Sequence, residues 1–340
     1  MGSFVVSLEG RTVHDNLVTL ARSVVDPLAE AASRFATAAD LPDSSVVVRV
    51  TDDFVSEVEA GCREGAPPYT TERLGGGVAA ITLRPQPGIG RRSVLINTAV
   101  FTLDDSWTLV HLPAVLAHEV AHCLIELCRR KDAQTPTRFE PPKDLLGTVD
   151  HCALTVCDEY LADELAKVLL PPSDVTVTVD GNEVVTTDRV MLAVDSLGQM
   201  RDALDKHVYP ALLDRVRKYR MSGAGFDDMV DSLTAAIPAA LVLSAHYRAA
   251  IREFPPTEEA ELVAQHPATR LYLQPFWDRV GPVPDRRLDG PLWSRFPQSD
   301  REALDTAMEA TLDFWAALGL TLEDQGGGRV YVHVDESDDC

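Results

Sequence analysis

The segment His118-Glu119-Val120-Ala121-His122 constrains this chain more than any other feature, because it places the pattern H-E-x-x-H inside an apolar run. The surrounding PAVLAHEVAHCLIELCRR has the apolar spacing of a helix. Pro113 suits the first turn of that helix, and the basic cluster Arg129 to Lys131 suits its end. Residues four apart lie on one face of a helix, so both imidazoles can reach one ion. The sequence therefore predicts a metal-binding helix after Leu112.

Zinc is the ion that this pattern favours. Imidazole nitrogens bind Zn²⁺ at about 2.0–2.1 Å. Glu119 lies about 100° around the helix from His118 and is therefore expected beside the metal. There it can take a proton from a zinc-bound water, whose pKa the ion lowers toward about 7. The prediction is a hydrolase with His118 and His122 as zinc ligands and Glu119 as general base and then acid.

A catalytic zinc site needs a third protein ligand and an open position. Glu159, in CDEYLADELAKVLLPP, is the preferred candidate because Asp163 follows it one turn later on the same face. Asp163 can then accept a hydrogen bond from a ligating imidazole and fix its tautomer. The predicted ligand set is His118, His122 and Glu159, with Asp163 in an orienting role.

Three other residues are alternatives for the third ligand. Cys128 has the metzincin spacing after the second histidine, but Ile125 stands where that pattern requires a helix-breaking glycine. His111 and His151 are also available, and their neighbours in the sequence do not distinguish them. A helix whose acidic residues merely face solvent is the alternative reading of the Glu159 segment.

The Glu159 segment also carries a family resemblance. D-E-Y-L-A-D, Asp158–Asp163, is similar to the Asn-Glu-x-x-x-Asp helix of thermolysin-like gluzincins. E-x-x-A-D-x-L-A-x-x-L-L-x-P, running from Glu159 to Pro172, more closely resembles the ImmA/IrrE-type peptidase pattern E-x-x-A-N-x-F-A-x-x-L-L-x-P. Asp163 replaces the usual asparagine, and Leu165 replaces the usual phenylalanine. Together with VLIN and LAHEVAH upstream, the resemblance covers about Val78 to Pro172 and implies a zincin metallopeptidase acting on a peptide or protein.

Further groups are expected around the reacting bond. The strand before a zincin's active helix often binds substrate as an added strand, so VAAITLR or SVLINTA is expected to present that edge. AQHPATRLYL offers His266 and Arg270 to stabilise the developing oxyanion, with His266 the preferred catalytic choice and Tyr160 a weaker one. A structural histidine at a helix start is an equal alternative for His266.

The fold class predicted is α+β: a zincin-like catalytic domain over residues 1–174, with a small mixed sheet and the active-site helices, and a largely helical region over residues 175–340. Expected helices span Asn16 to Ala39 and Leu146 or His151 to Leu170, and the pattern is helical from Thr187 to Phe254 and again from Ser299 to Leu318. Expected strands span Ser45 to Thr51, Val78 to Arg84 and Ser93 to Ala99, the last two joined through Pro85 to Gly90. VTVTVDGNEVV predicts a hairpin, the segment from Gln274 to Pro297 a proline-rich connection, and GGGRVYVHVDESDDC a terminal strand.

The composition limits the classes of partner and the cellular location expected for this chain. A formal net charge of −22 argues against nucleic acid, because phosphate binding needs a basic surface. The amino terminus lacks a signal-peptide pattern, and no segment is expected to cross a membrane, so a cytoplasmic protein is predicted. Cys123, Cys128, Cys152 and Cys157 have a five-residue spacing that prevents chelation from one helical face, and they are predicted to be buried thiols.

Two other classes of function stay open from the sequence. The same constellation serves a non-proteolytic zinc amidohydrolase or biosynthetic hydrolase acting on a small substrate. A regulatory or binding protein in which zinc braces two helices is the second alternative, although such a site has no need of Glu119 beside an open metal position. No nucleotide cofactor is expected, because the glycine clusters lack the lysine and helix of a phosphate-binding loop.

Overall fold

The computed structural model describes the chain except for residues 1–3, 62–71, 74–75, 84–90, 102–105, 131–143, 172, 180–181, 188–196, 252–257, 282–295, 327–328 and 336–340. The chain forms two compact units, each built from two stretches. The first unit contains Met1–Ala133 and Leu161–Leu192, and the second contains Gln134–Tyr160 and Ala193–Cys340. The predicted division at residue 174 follows the order of the sequence instead and stays a prediction.

A four-stranded mixed sheet organises the first unit. Its strands, in spatial order, are β1 (Phe4–Arg11), β2 (Ser44–Thr51), β6 (Arg91–Asn97) and β5 (Ala80–Leu83). β1, β2 and β6 run parallel, whereas β5 is antiparallel to β6, with Ala80 opposite Ile96 and Leu83 opposite Ser93. A short antiparallel pair, β3 (Glu72–Arg73) and β4 (Gly76–Gly77), precedes β5. The small mixed sheet expected from the sequence is therefore present.

The helices of the first unit bury apolar stripes against this sheet. They are α1 (Asp15–Ala38), α2 (Phe54–Gly61) and α3 (Ser106–Arg130), together with the end of α4 (Leu145–Leu169). α1 buries Leu17, Ala21, Val24, Leu28 and Ala32, which recur at the three- and four-residue intervals of one helical face. β2 is apolar on both faces, as expected for a central strand covered on both sides. A hairpin, β7 (Asp174–Val179) with β8 (Asn182–Thr187), follows α4.

Asp52 sits just after β2, where the parallel strands end. Its carboxylate accepts hydrogen bonds from the hydroxyls of Thr12 and Thr98, both at 2.6 Å, and from the backbone N–H of Val13 at 3.0 Å. The Thr12 bond, followed by the Thr98 and Val13 bonds, lowers the pKa of Asp52 to about 2. This carboxylate therefore ties together the segments that leave three neighbouring strands.

The second unit is mainly helical. Besides the start of α4 it contains a π-helical turn (Leu204–Val208), α5 (Ala211–Ser222), α6 (Phe226–Ile251), α7 (Glu258–Gln265), a second π-helical turn (Thr269–Leu273), α8 (Gln274–Val280), α9 (Phe296–Ala317) and an antiparallel hairpin of β9 (Leu320–Gly326) with β10 (Arg329–Val334). Its core includes Tyr160, whose ring packs 5.5 Å from that of Trp277. The indole N–H of Trp277 donates to Ser244 Oγ at 2.9 Å, so this buried polar pair is satisfied.

The structure confirms the α+β class and most of the expected elements, and it corrects several boundaries. α3 begins at Ser106 rather than near Pro113, which lies inside the helix. Burial of Val110, Leu112 and Leu116 around Pro113 provides packing that offsets the lost backbone hydrogen bond. β1, α2 and β9 were not expected, and Gln274–Val280 is helical rather than part of a loop. The proposed Pro85–Gly90 connection and the Asp180-Gly181 turn lie outside the described residues.

Within the part of the chain that the structure describes, two helices reach membrane-spanning length and hydropathy, contrary to the expectation that no segment does. They are Thr108–Arg130 and Phe226–Ala249, both with a mean hydropathy of 1.4. The most apolar window of each is 72% and 44% buried inside the protein, respectively. Core helices of soluble proteins pass the same test, so both are weak candidates, and the observation is consistent with a soluble protein.

The four clustered cysteines are buried thiols, as expected. Cys123, Cys128, Cys152 and Cys157 are all buried, and each is a thiol rather than half of a disulfide. Burial, with a smaller contribution from Cys157, raises the pKa of Cys152 to about 12. This thiol is therefore protonated and unreactive at neutral pH.

Candidate metal centre

The two histidines of α3 bring one nitrogen each to a common point. His118 Nε2 and His122 Nε2 lie 2.9 Å apart, with the two rings nearly perpendicular. Tetrahedral zinc with bonds of about 2.0–2.1 Å holds its nitrogen ligands about 3.3 Å apart. A shift of a few tenths of an ångström would therefore let both nitrogens bind one ion. The i, i+4 spacing on one helical face produces this convergence.

Asp163 of α4 contacts the other nitrogen of His118. Asp163 Oδ1 lies 2.7 Å from His118 Nδ1, and the two side chains are 22% and 15% exposed. If Nδ1 carries the proton, the imidazole donates to the carboxylate and its Nε2 presents a lone pair. The structure thus brings together Asp163, the residue predicted to orient a ligand, and His118, one of the three predicted ligands.

Glu119 is buried beside these histidines, with 9% of its surface exposed. Its Oε2 accepts a hydrogen bond of 2.6 Å from the hydroxyl of Thr82, which lies on β5. Thr82 Oγ1 also lies 3.2 Å from the backbone carbonyl of Glu119. Sequence reasoning missed Thr82. Its signal was a polar residue within the apolar strand AITL, flanked by Ile81 and Leu83 on the opposite face.

Glu159 lies on α4 one turn before Asp163, so the two carboxylates share a face of that helix. Within the second unit, Glu159 Oε2 is 3.9 Å from Nε2 of His246 on α6. Both side chains are partly buried, at 16% and 30% exposure. His246 was also missed, because a lone histidine in the apolar run ALVLSAHYRAA shows no ligand spacing.

The alternative third ligands are displaced along or around the helices that carry them. Cys128 is six residues beyond His122, so it points about 120° away from it on α3. His111 lies two turns before His118, about 10 Å along the same axis. His151 lies about 12 Å before Glu159 along α4. The choice of Glu159 as the third ligand stays a prediction.

The residues predicted to stabilise an oxyanion have other contacts in the second unit. His266 Nε2 lies 3.0 Å from Asp205 Oδ1, and its Nδ1 accepts a hydrogen bond from the backbone N–H of Ala268 at 3.2 Å. Arg270 is exposed on a π-helical turn, and Tyr160 is fully buried against Trp277. These contacts favour a structural role for His266 at the start of a helical segment, and its catalytic role stays a prediction.

Comparison of this chain with protein-family models, curated proteins and solved structures gave no significant match. The likeness to ImmA/IrrE-type peptidases therefore depends on the two short motifs alone.

Proposed function

We propose that this chain is a zinc-dependent hydrolase of the gluzincin type, most similar to ImmA/IrrE-type peptidases, that cleaves peptide bonds. One observation carries the proposal: His118 and His122 direct their Nε2 atoms to a shared point, while Asp163 occupies the opposite nitrogen of His118. A histidine whose second ring nitrogen contacts a carboxylate, as His118 does, is the arrangement that metal-ligating imidazoles commonly have.

The donor set suits zinc. Two imidazoles and the carboxylate of Glu159 would form a three-ligand site, which is typical of catalytic rather than structural zinc. Glu159 is proposed as the third ligand because α4 continues unbroken from it to Asp163, whose carboxylate contacts His118. When bound, zinc would supply Lewis acidity and make a water molecule easier to deprotonate.

Asp163 and Glu119 have separate roles in the proposed reaction. Asp163 holds the His118 ring in one orientation, so Nε2 need not reorganise when it binds a cation. Glu119 is the general base, and as the conjugate acid it passes the proton to the departing amine. Its burial excludes bulk water from the carboxylate, which strengthens the interaction with a developing positive charge.

The sheet supports a peptide as the substrate. Among the strands that the structure describes, β5 pairs with β6 alone, so its other side has backbone groups that an extended peptide can use. Thr82 on this strand contacts Glu119, so β5 lies beside the proposed base. The net charge of −22 favours a peptide over nucleic acid, and free buried thiols are compatible with a reducing cytoplasm.

Metal analysis followed by activity measurement tests this proposal. Purified wild type should contain one zinc per chain, and Glu119→Gln should retain that zinc while losing cleavage of a peptide library by at least about 100-fold. Glu164→Gln is the matched control, since it removes a carboxylate whose Oε1 pairs with Lys167 Nζ at 2.6 Å. That control should keep both zinc and activity.

Each failure has a distinct meaning. A wild-type protein without zinc would refute the metal centre. A zinc protein that cleaves only small amides would replace the peptidase by an amidohydrolase. Zinc with no hydrolysis of either kind would indicate a binding protein braced by the ion.

A further inference from the structure

Thr82 offers a role for a residue outside the metal-binding motifs. Its side chain is buried, with 3% exposure, and its hydroxyl lies 2.6 Å from Glu119 Oε2. A hydroxyl has one proton to donate, and an ionised carboxylate is the stronger acceptor of its two neighbours. The geometry therefore directs that proton to Oε2 rather than to the more distant backbone carbonyl.

We propose that Thr82 is a positioning residue that fixes the carboxylate of Glu119, leaving Oε1 as the oxygen that exchanges the proton. Oε2 is engaged by the strand, so rotation of the carboxylate about its last bond would break a short hydrogen bond. The orientation is thus set before substrate binds. Preorganisation of this kind lowers the reorganisation needed during reaction.

The position of Thr82 on β5 gives this contact a second consequence. Thr82 faces α3, whereas Ile81 and Leu83 pack on the opposite face near Phe54 and Val58. A peptide added to the free side of β5 would order the strand that holds the base. Substrate binding and base orientation would therefore depend on the same four-residue strand.

The role rests on the proposed function, so its test needs a measurement that does not require cleavage. Acetohydroxamic acid is a suitable probe, because a hydroxamate chelates zinc through its two oxygens and can also hydrogen-bond to a correctly oriented carboxylate beside the metal. Zinc-loaded wild type, Thr82→Val, Thr82→Ser and Thr98→Val would be titrated with this probe by calorimetry. Thr98→Val is matched, since it too removes a hydroxyl–carboxylate bond of 2.6 Å from the same unit.

Thr82→Val should weaken probe binding by about 10-fold or more, the range expected for a hydrogen bond to a charged group. Thr82→Ser should stay within about threefold of wild type because it keeps the donor. Thr98→Val should bind as wild type does. On any peptide that is cleaved, Thr82→Val should lower kcat by a similar factor with KM nearly unchanged. Thr82→Ala is the second variant if valine prevents folding, and the same loss is expected.

Three results would overturn the positioning role: unchanged probe affinity in Thr82→Val, no rescue by serine, or an equal loss in Thr98→Val. A zinc-loaded wild type that does not bind the probe, or a wild type without zinc, would overturn it as well. If the probe series behaves as expected but no peptide is cleaved, Thr82 keeps its role and the peptidase proposal fails.

Discussion

Replacing Asp163 by alanine should weaken zinc binding while leaving the fold intact. The contact between His118 Nδ1 and Asp163 Oδ1 is 2.7 Å long and largely shielded from solvent. A hydrogen bond to a charged group in such a setting is worth about 1.5–3 kcal/mol. That free energy corresponds to a loss of about 10- to 150-fold in zinc affinity. Loss of orienting partners of zinc ligands has effects of the same size, about 10–100-fold.

Replacing Asp163 by asparagine separates the effect of its negative charge on zinc affinity from the effect of its acceptor oxygen. Asp163→Asn keeps an acceptor oxygen, but a neutral acceptor makes a hydrogen bond about half as strong, so roughly half of that free energy should be lost. Zinc affinity would be measured at pH 7 by competition with a chromophoric chelator. Expected affinities fall in the order wild type, Asp163→Asn, Asp163→Ala.

Glu164→Gln controls for the change in net charge on the same helix. Its carboxylate pairs with Lys167 rather than with His118, so zinc affinity should change by less than about threefold. Equal affinities of Asp163→Ala and wild type would refute the orienting role of Asp163. An equal loss in Glu164→Gln would show that long-range charge, not the contact with His118, determines the affinity.

Three further predictions concern the ligand and the titrating groups. Glu159→Ala should lose zinc during dialysis against a chelator, whereas Cys128→Ala should retain it, and atomic absorption distinguishes the two. The pKa of Cys152 rises from 9.0 to about 12 on folding, so the stabilisation present below pH 9 is lost as the pH rises toward 12. In urea unfolding over this range, the free energy of unfolding of Cys152→Ala should decline less steeply than that of wild type. The pKa of Asp52 falls from 3.8 to about 2 on folding, so its stabilisation is present above pH 4 and lost as the pH falls through 2. In the same measurement, Asp52→Asn should lose less stability than wild type between pH 4 and pH 2.

Helices and strands whose apolar residues recur at one regular interval over a long segment could be predicted from sequence. α1 and β2 lie within one residue of their expected bounds, and α4 begins at Leu145, next to the earlier of its two alternative starts, because apolar spacing extends over the length of each element. β1 was missed although FVVSLEGR alternates, since only parallel pairing with β2 makes that short segment a strand. The predicted start of α3 is wrong because proline is favoured in the first turn of a helix, and Pro113 lies inside this one. Tertiary packing instead keeps the proline within the helix.

In the candidate site too, some residues can be predicted from sequence and others cannot. His118 with His122, and Glu159 with Asp163, are predicted from sequence because residues four apart share one face of a helix. Thr82 is 37 residues before Glu119, and His246 is on a different helix from Glu159. Contacts of this kind leave no spacing in the sequence, so only the folded chain reveals them.

One of the three points at which the chain passes between the two units falls between Tyr160 and Leu161, inside α4. Because each unit is assembled from two stretches of chain, a single cut at any position leaves at least one unit incomplete. On the ribosome, β1 to β6 emerge well before Asp163, so the sheet can begin to form while His118 still lacks its carboxylate partner. Maturation of the histidine pair must therefore wait for the second half of α4 to be synthesised, and truncated translation products would end without it.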